Sequence, residues 1–469
     1  MKEKRTTKTI NKMMKMKCFC LAALIMTMTS VNAWSQRMMT LQQFYDRAET
    51  ESRRISVDRF ALHAAKESVE IARNEALPKV SAGMTFSYIG SALLMSRGFS
   101  TSGTTDVIVP GIGPQKVQNG IQDNPHWGNM FSVQALQVVY AGGAVSTGIR
   151  MAELAEQMAV LDITKSRQDV RFMLTGFFLD LCKMRNLIEV IDKNIEQSQG
   201  VIRNMESRKR QGMLLQRDIT RYEYQLKNME LSKQKIVDAM DIVNHQIVSA
   251  LHLEEGTVVV PDAKMLDDDY LSLQDLASHE IWQNTASDNN VGVRKSEIAS
   301  ELAEQKIRAV KAEKKPTVAL MFEDNFFGPY TNDLIPVNAN VNSWFVGVGV
   351  KYNLSSLWTN KRKMNKAKFE LMQSREQVEL TKEAVGNEVK TAYVNLLTSF
   401  KEEQTLKKQV EMAQQNYSVV SKRYENGISL LTDMVDASNM MLAADMDLVN
   451  ARLSMLYAYY RLKYVTNSL

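Results

Sequence analysis

The chain is poor in the residues that staple or interrupt folds. Its 469 residues hold three cysteines and eight prolines. Cys18 and Cys20 fall within the first 33 residues, so beyond them Cys182 stands alone and no intrachain disulfide can form. Cys182 sits among Phe177, Phe178, Leu179 and Leu181, the setting of a buried small hydrophobe and not of a reactive thiol. Long apolar runs are missing too. Apart from a short one at Cys18–Met28, none approaches the roughly 20 residues that a membrane helix needs. If the chain meets a membrane after that point, it must do so as β-strands.

Basic excess is also lacking. The formal charge of +5 is concentrated at the start. Seven of the 58 basic and one of the 53 acidic side chains lie in residues 1–33, leaving 51 against 52. Such a balance offers nothing for nucleic acid. Catalytic constellations are absent as well. Five histidines are scattered at 63, 126, 245, 252 and 279, and His245 and His252 are seven apart, which is not metal-ligand spacing. Gly111-Ile112-Gly113 sits in a proline-rich loop with no helix after it, so it makes no phosphate cradle. There is no nucleophile elbow, P-loop or cysteine pair. The residues therefore predict no enzyme, no cofactor and no metal.

What is present begins with a secretory signal over residues 1–33. It has a basic start, the apolar run and a small-residue exit at Val31-Asn32-Ala33. Lys17 stands where a small residue would precede a lipidated Cys18, which argues against a lipid anchor.

Four segments then alternate with period two, near residues 79–89, 129–140, 317–327 and 343–355. In the clearest, Trp344, Val346, Val348, Val350, Tyr352 and Leu354 alternate with Phe345, Gly347, Gly349, Lys351 and Asn353. Each runs roughly 10 residues, the length of a tilted membrane strand. Small residues on one face favour that reading over a strand of a soluble sandwich. The stretches between paired segments, Gly90–Pro125 and Phe327–Asn342, read as irregular loops.

The remainder reads as helix. Residues from about Val145 to Arg210 carry a seven-residue row of Val160, Leu174, Leu181, Ile188, Ile195 and Ile202. From about Asn360 to Asn426 the row is Leu371, Val378, Val385, Ala392, Leu406, Ala413 and Val420. A seven-residue period implies helices supercoiling around neighbours. Helices of that length would be on the order of 100 Å long, too long for a compact globule. Shorter helices are expected at about Leu41–Ala76, Asp218–Leu253, Leu273–Lys314 and Asp433–Val465.

These parts form a duplication. Gly212 precedes Asp218 by six residues, and Gly427 precedes Asp433 by six. Trp127 and Trp344 each lead a strand and then a long helix, 217 residues apart. Pro78 and Pro316 precede matching strands, offset by 238. The organisation expected is a first repeat over 34–253, a linker over 254–270 that includes three solvated aspartates at 267–269, and a second repeat over 271–469.

With the order of strands and helices in hand, three local motifs carry a resemblance. They are Val139-Tyr140-Ala141-Gly142-Gly143, Gly212-Met213-Leu214-Leu215-Gln216-Arg217-Asp218, and Tyr424 through Gly427 and Asp433 to Asp436. In this order and spacing the whole chain after residue 33 resembles the TolC-like outer-membrane efflux and secretion ducts. The resemblance implies a mainly α fold with a small membrane β-barrel. Duplicated β-β-long-α units assemble as a homotrimer, whose twelve-stranded barrel continues into a coiled-coil helical tunnel. It implies an outer-membrane location with extension into the periplasm, and outer-membrane lipid around the barrel. The implied partners are a periplasmic adaptor protein and, through it, an inner-membrane pump. The glycine turns at Gly212 and Gly427 would be the tip where the adaptor docks. Asp433 and Asp436 match acidic positions lining a constriction there. Asp218 and Tyr424 match positions that bond between hairpins in a closed tip. Where the family places an arginine this chain has Ser429, with Arg217 beside Asp218 instead. On the strands, Val346, Val348, Val350 and Tyr352 are expected to face lipid, and Gly347, Gly349 and Lys351 the lumen.

The function expected is a passive exit duct for small molecules. The alternatives are an exit duct for protein secretion and, from another class, a barrel-anchored trimeric coiled-coil adhesin. A soluble helical scaffold is disfavoured by the signal and the strands.

Overall fold

A computed structural model of the chain describes residues 36–88, 103–109, 113–119, 127–264, 266, 270, 277–328, 330–331, 336–337 and 340–469. The expected signal, the aspartates at 267–269 and the expected helix start at Leu273 lie outside them. Two compact units divide the chain. One draws on the chain up to Ala61, on Ala159–Ser296 and on Gln377–Leu469; the other comprises Leu62–Met158 and Glu297–Glu376.

The second unit holds a four-stranded antiparallel sheet of β2 (Lys79–Tyr88), β5 (Trp127–Tyr140), β7 (Thr317–Gly328) and β10 (Val341–Lys351). The order is β10-β7-β5-β2, so β2 and β10 are its edges. Period-two sequences put each strand's apolar residues on one face. The register stacks Val346 on Phe322, Phe322 on Ala135 and Ala135 on Val80. One residue along, it stacks Phe345 on Glu323, Glu323 on Gln134 and Gln134 on Ser81. The first face is apolar apart from residues such as Asp324 and Gln137. The second is largely polar, and there Gln134 and Asn325 donate to Glu323 Oε1 at 3.3 and 2.8 Å.

The fourth strand, expected over 343–355, stops at Lys351, which pairs with Thr317. The residue before Thr317 is Pro316, which has no N–H to extend the ladder. Tyr352 and Leu354 therefore lie past the strand. The stretch 90–125, expected as irregular loop, contains a hairpin of β3 (Gly103–Val109) and β4 (Gly113–Asn119). Its β-branched run Thr104-Thr105 and Val107-Ile108-Val109 suits a strand. In the other loop, β8 (Tyr330–Thr331) pairs with β9 (Pro336–Val337).

The helices are α1 (Leu41–Glu51), α2 (Arg53–Asn74), α3 (Ala144–Arg210), α4 (Gln216–Ala250), α5 (His279–Asn289), α6 (Val291–Ala312), α7 (Ser356–Glu425) and α8 (Leu431–Val465). The two helices expected at 41–76 and 273–314 are each split in two. The chain turns extended at Ser52 (ψ 119°) and at Asn290 (ψ 122°). Both are residues whose side chains compete with helical bonding and favour caps. These breaks are 238 residues apart, the offset of the strands that follow them.

The main core of the first unit is built by Leu41, Phe44, Leu174, Phe178, Ile247, Leu251, Val389, Leu396, Met455 and Leu462, all nearly inaccessible. Within the expected linker, β6 (Val258–Pro261) pairs in parallel with β1 (Gln36–Met39). The buried seams match the rows read in the sequence only in part: Val378, Ala392 and Ala413 of the second row are buried. Along α3 the expected row is buried at Leu174, Leu181 and Ile202, but Val160 is exposed and Ile188 and Ile195 are half-buried; beyond Cys182 the buried positions are Leu187, Ile191, Asn194, Ser198, Ile202 and Met205. Along α7 a strict row of sevens is buried: Val389, Leu396, Glu403, Val410, Tyr417 and Tyr424. Glu403 escaped a purely apolar search, and Tyr270 donates to its carboxylate at 3.2 Å.

Candidate functional site

The candidate tip lies within the first unit. It consists of the turn from α3 to α4 and the turn from α7 to α8. At the first, Gly212 has φ +77° and its N–H donates to Lys209 O at 2.9 Å, while Met213 N donates to Arg208 O at 3.0 Å. At the second, Gly427 has φ +73°, with bonds from Gly427 N to Tyr424 O at 2.9 Å and from Ile428 N to Arg423 O at 2.8 Å. Both are Schellman caps, and a left-handed residue at this position favours glycine. Each turn leaves two large apolar side chains exposed: Met213 and Leu215 in one, Ile428 and Leu430 in the other. Beneath them Ile202, Met205, Ile219, Tyr222 and Val435 form a small core that ties α3, α4 and α8.

Asp433 is exposed in the first turn of α8, and its Oδ2 accepts from Leu430 N at 3.1 Å. It thus caps the helix while complementing the helix dipole. Asp436 is exposed one turn on, with no hydrogen bond or ion pair among the described residues. Asp218 occupies the matching place in α4 but is half-buried, 3.8 Å from Arg217 Nε. Ser429 N donates to Arg423 O at 3.3 Å.

Tyr424 is buried, and its hydroxyl has no hydrogen-bond partner among the described residues. Asp218 and Tyr424 are therefore not bonded to each other within the chain. Burial pushes the Tyr424 phenol up; the Arg208 charge opposes this, and Asp218 and Tyr222 add to it. The contact that joins the two turns was missed in the sequence. Arg208 Nη1 donates to Tyr424 O at 3.3 Å and its other terminal nitrogen to Glu425 O, and the guanidinium lies 5.7 Å from the Tyr424 ring centre. One helix's last carbonyls are thus capped by a cation from the other. The basic run Arg208-Lys209-Arg210 was the available signal.

On the sheet, Val346, Val348 and Val350 are about two-thirds exposed on the apolar face of β10. Gly347, Gly349 and Lys351 alternate with them. A Cβ on Gly349 would meet Met321 Cε at 2.7 Å, so that face is crowded by its neighbour. Tyr352, beyond the strand end, is 40% exposed. Among the described residues no helix is long and apolar enough to cross a membrane, and no acidic, histidine or cysteine cluster could hold a metal. Cys182 is buried, which pushes its thiol up to about 12.

Comparison with known proteins bears on this combination of sheet and paired hairpins. Residues 282–468 match the family of outer membrane efflux proteins. The outer membrane protein TolC of Salmonella enteritidis is 20% identical over 440 residues, covering 92% of this chain and 82% of that one. The fold of VceC from Vibrio cholerae matches with a TM-score of 0.69 at 11% identity, over 91% of this chain and 96% of that one. CusC matches with a TM-score of 0.70 at 11% identity, over 91% of each. At these identities the two structures show that the fold is shared.

Proposed function

We propose that this chain is the outer-membrane exit duct of a tripartite export system, passive itself and serving small-molecule efflux. The observation that carries the proposal is the sheet. Four strands present one apolar and one polar face, and among the described residues the edges β2 and β10 are unpaired. Open edges are not viable in lipid, and four strands cannot close a barrel. Three copies pairing β10 of one to β2 of the next give twelve strands, apolar outward and polar inward. Val346, Val348 and Val350, with Tyr352 at the strand end, then meet lipid, and Gly347, Gly349 and Lys351 line the lumen. The long helices continue the barrel as a coiled-coil tunnel, formed by both repeats of 34–253 and 271–469 after removal of residues 1–33, with 254–270 joining them.

At the far end the Gly212 and Gly427 turns dock a periplasmic adaptor through Met213, Leu215, Ile428 and Leu430, and the adaptor couples the duct to an inner-membrane pump. Asp433 and Asp436 share one helix face. Threefold symmetry gathers six carboxylates near the axis, a site for cations and a barrier to anions. Asp218, Tyr424, Arg217 and Ser429 lie where neighbouring hairpins close the tip, and Arg208 binds the two hairpins of each copy. The duct needs no catalytic group or cofactor of its own.

Deletion of the gene tests this directly. Loss of resistance to several unrelated compounds with unchanged secreted proteins is the expected result. Loss of one secreted protein with unchanged resistance would replace efflux by protein secretion. A purified protein that stays monomeric in mild detergent would remove the duct altogether.

A further inference from the structure

A cavity of about 510 Å³ opens in the first unit beside the start of α2. Arg53, Arg54, His245 and His252 line it, against a single acid, Glu255. Arg54 already holds Asp169 at 2.6 Å, whereas the Arg53 guanidinium has no ion pair or hydrogen bond among the described residues. Two arginines in the first turn of a helix oppose its dipole, and no acid offsets them there. Ser52, the residue at the helix break, also lines the cavity. It is only 8% exposed, yet its hydroxyl has no hydrogen-bond partner among the described residues.

The duplication supplies an internal control. At the equivalent break Asn290 Oδ1 accepts from Gly292 N at 2.8 Å and Val293 N at 3.2 Å, closing the start of α6 with its own side chain. The matching amides in the first repeat belong to Arg54 and Ile55, and Ser52 makes no such bond to them. One copy of the same joint is capped; the other is left open onto a basic cavity, with an unbonded hydroxyl on a nearly buried serine. We infer that this cavity binds an oxyanion, a phosphate- or carboxylate-bearing group, held by the open helix start, the Ser52 hydroxyl and the Arg53 guanidinium. It is independent of the tip and of the duct reading. Free or lipid phosphate and the carboxylates of cell-wall peptides are the two sources to be separated.

The test is calorimetric titration of the full-length protein in detergent with inorganic phosphate and, separately, with a cell-wall muropeptide that carries carboxylates and no phosphate. Saturable binding of at least one probe is expected, and the tighter one identifies the source. Ser52→Asn rebuilds the cap of the second repeat and should weaken binding tenfold or more without lowering the melting temperature. Arg53→Gln should weaken it similarly. Failure of both probes to saturate overturns the inference. So does unchanged affinity in the folded Ser52→Asn and Arg53→Gln proteins.

Discussion

The two halves of the chain follow the same order of paired helices, strands and long helices and differ in the side chains they place on it. Their tip turns superpose residue for residue in sequence, offset by 215: Arg208 and Arg423, Gly212 and Gly427, Asp218 and Asp433. Both glycines are left-handed, and both turns close with the same pair of bonds. The side chains then diverge. Arg208 reaches across to the carbonyls of the second turn, whereas the Arg423 guanidinium is exposed and makes no hydrogen bond or ion pair among the described residues. Asp218 is half-buried beside Arg217, while Asp433 is exposed and caps its helix. The helix breaks at Ser52 and Asn290 tell the same story, one open and one closed. A duplicated chain keeps the interactions that set backbone geometry and is free to change those that face outward, because only the former are required twice.

The comparison can be broken most forcefully on the strands, where the repeats should behave alike. Val348 of β10 and Phe131 of β5 occupy equivalent places on the apolar face. Arginine at either should cost about 2–4 kcal/mol near the bilayer midplane, read as loss of assembled, heat-resistant oligomer. Gln134→Arg and Lys351→Arg, on the polar face, should assemble normally. The reverse pattern would invert lipid and lumen.

At the turns the repeats should differ. Arg208→Ala removes two hydrogen bonds to carbonyls and a ring contact, a loss of about 2 kcal/mol for this partly exposed cation. Arg423→Ala should change stability by a few tenths at most. Equal effects in denaturant titrations would show that the cross-turn cap is not an asymmetric feature.

The glycines return the two repeats to equality. Open space surrounds both, so an added Cβ meets no neighbour within 4 Å. Gly212→Ala and Gly427→Ala should each cost about 1 kcal/mol from the left-handed backbone alone. Unequal costs in melting experiments would mean that one turn is held by contacts the other lacks.

Smallest in stability, though not in consequence, are the acids. Asp433→Asn should lower stability by about 1 kcal/mol or less. In reconstituted trimers the Asp433→Asn, Asp436→Asn double variant should lose cation preference and block by divalent ions, while Asp218→Asn keeps both. An unchanged block in the double variant would take the constriction away from this pair and leave the duct in place.

Much of this was legible because it depends on local rules. Alternation at Trp344–Val350 places a strand and its faces, since side chains in a strand point to opposite sides by geometry. Glycine six residues before aspartate at 212 and 427 marks a helix stop and restart, since few other residues tolerate the left-handed cap. What sequence reasoning lost were features set by neighbours. The strand end at Lys351 depended on Pro316 in its partner. The hairpin at 103–119 was hidden by flanking glycine and proline. The buried seam of α7 passes through Glu403, which has a place in the core because Tyr270 satisfies it.

The sequence by itself determined the duplication, the four membrane-length strands, the long helices and the glycine turns, because each follows from periods and backbone preferences acting within a few residues. Tertiary structure alone decided which strands neighbour one another, where Ser52 and Asn290 break their helices and whether each break is capped. It also decided that Arg208, not Asp218, reaches Tyr424. That contact spans 216 residues, a distance no local rule carries.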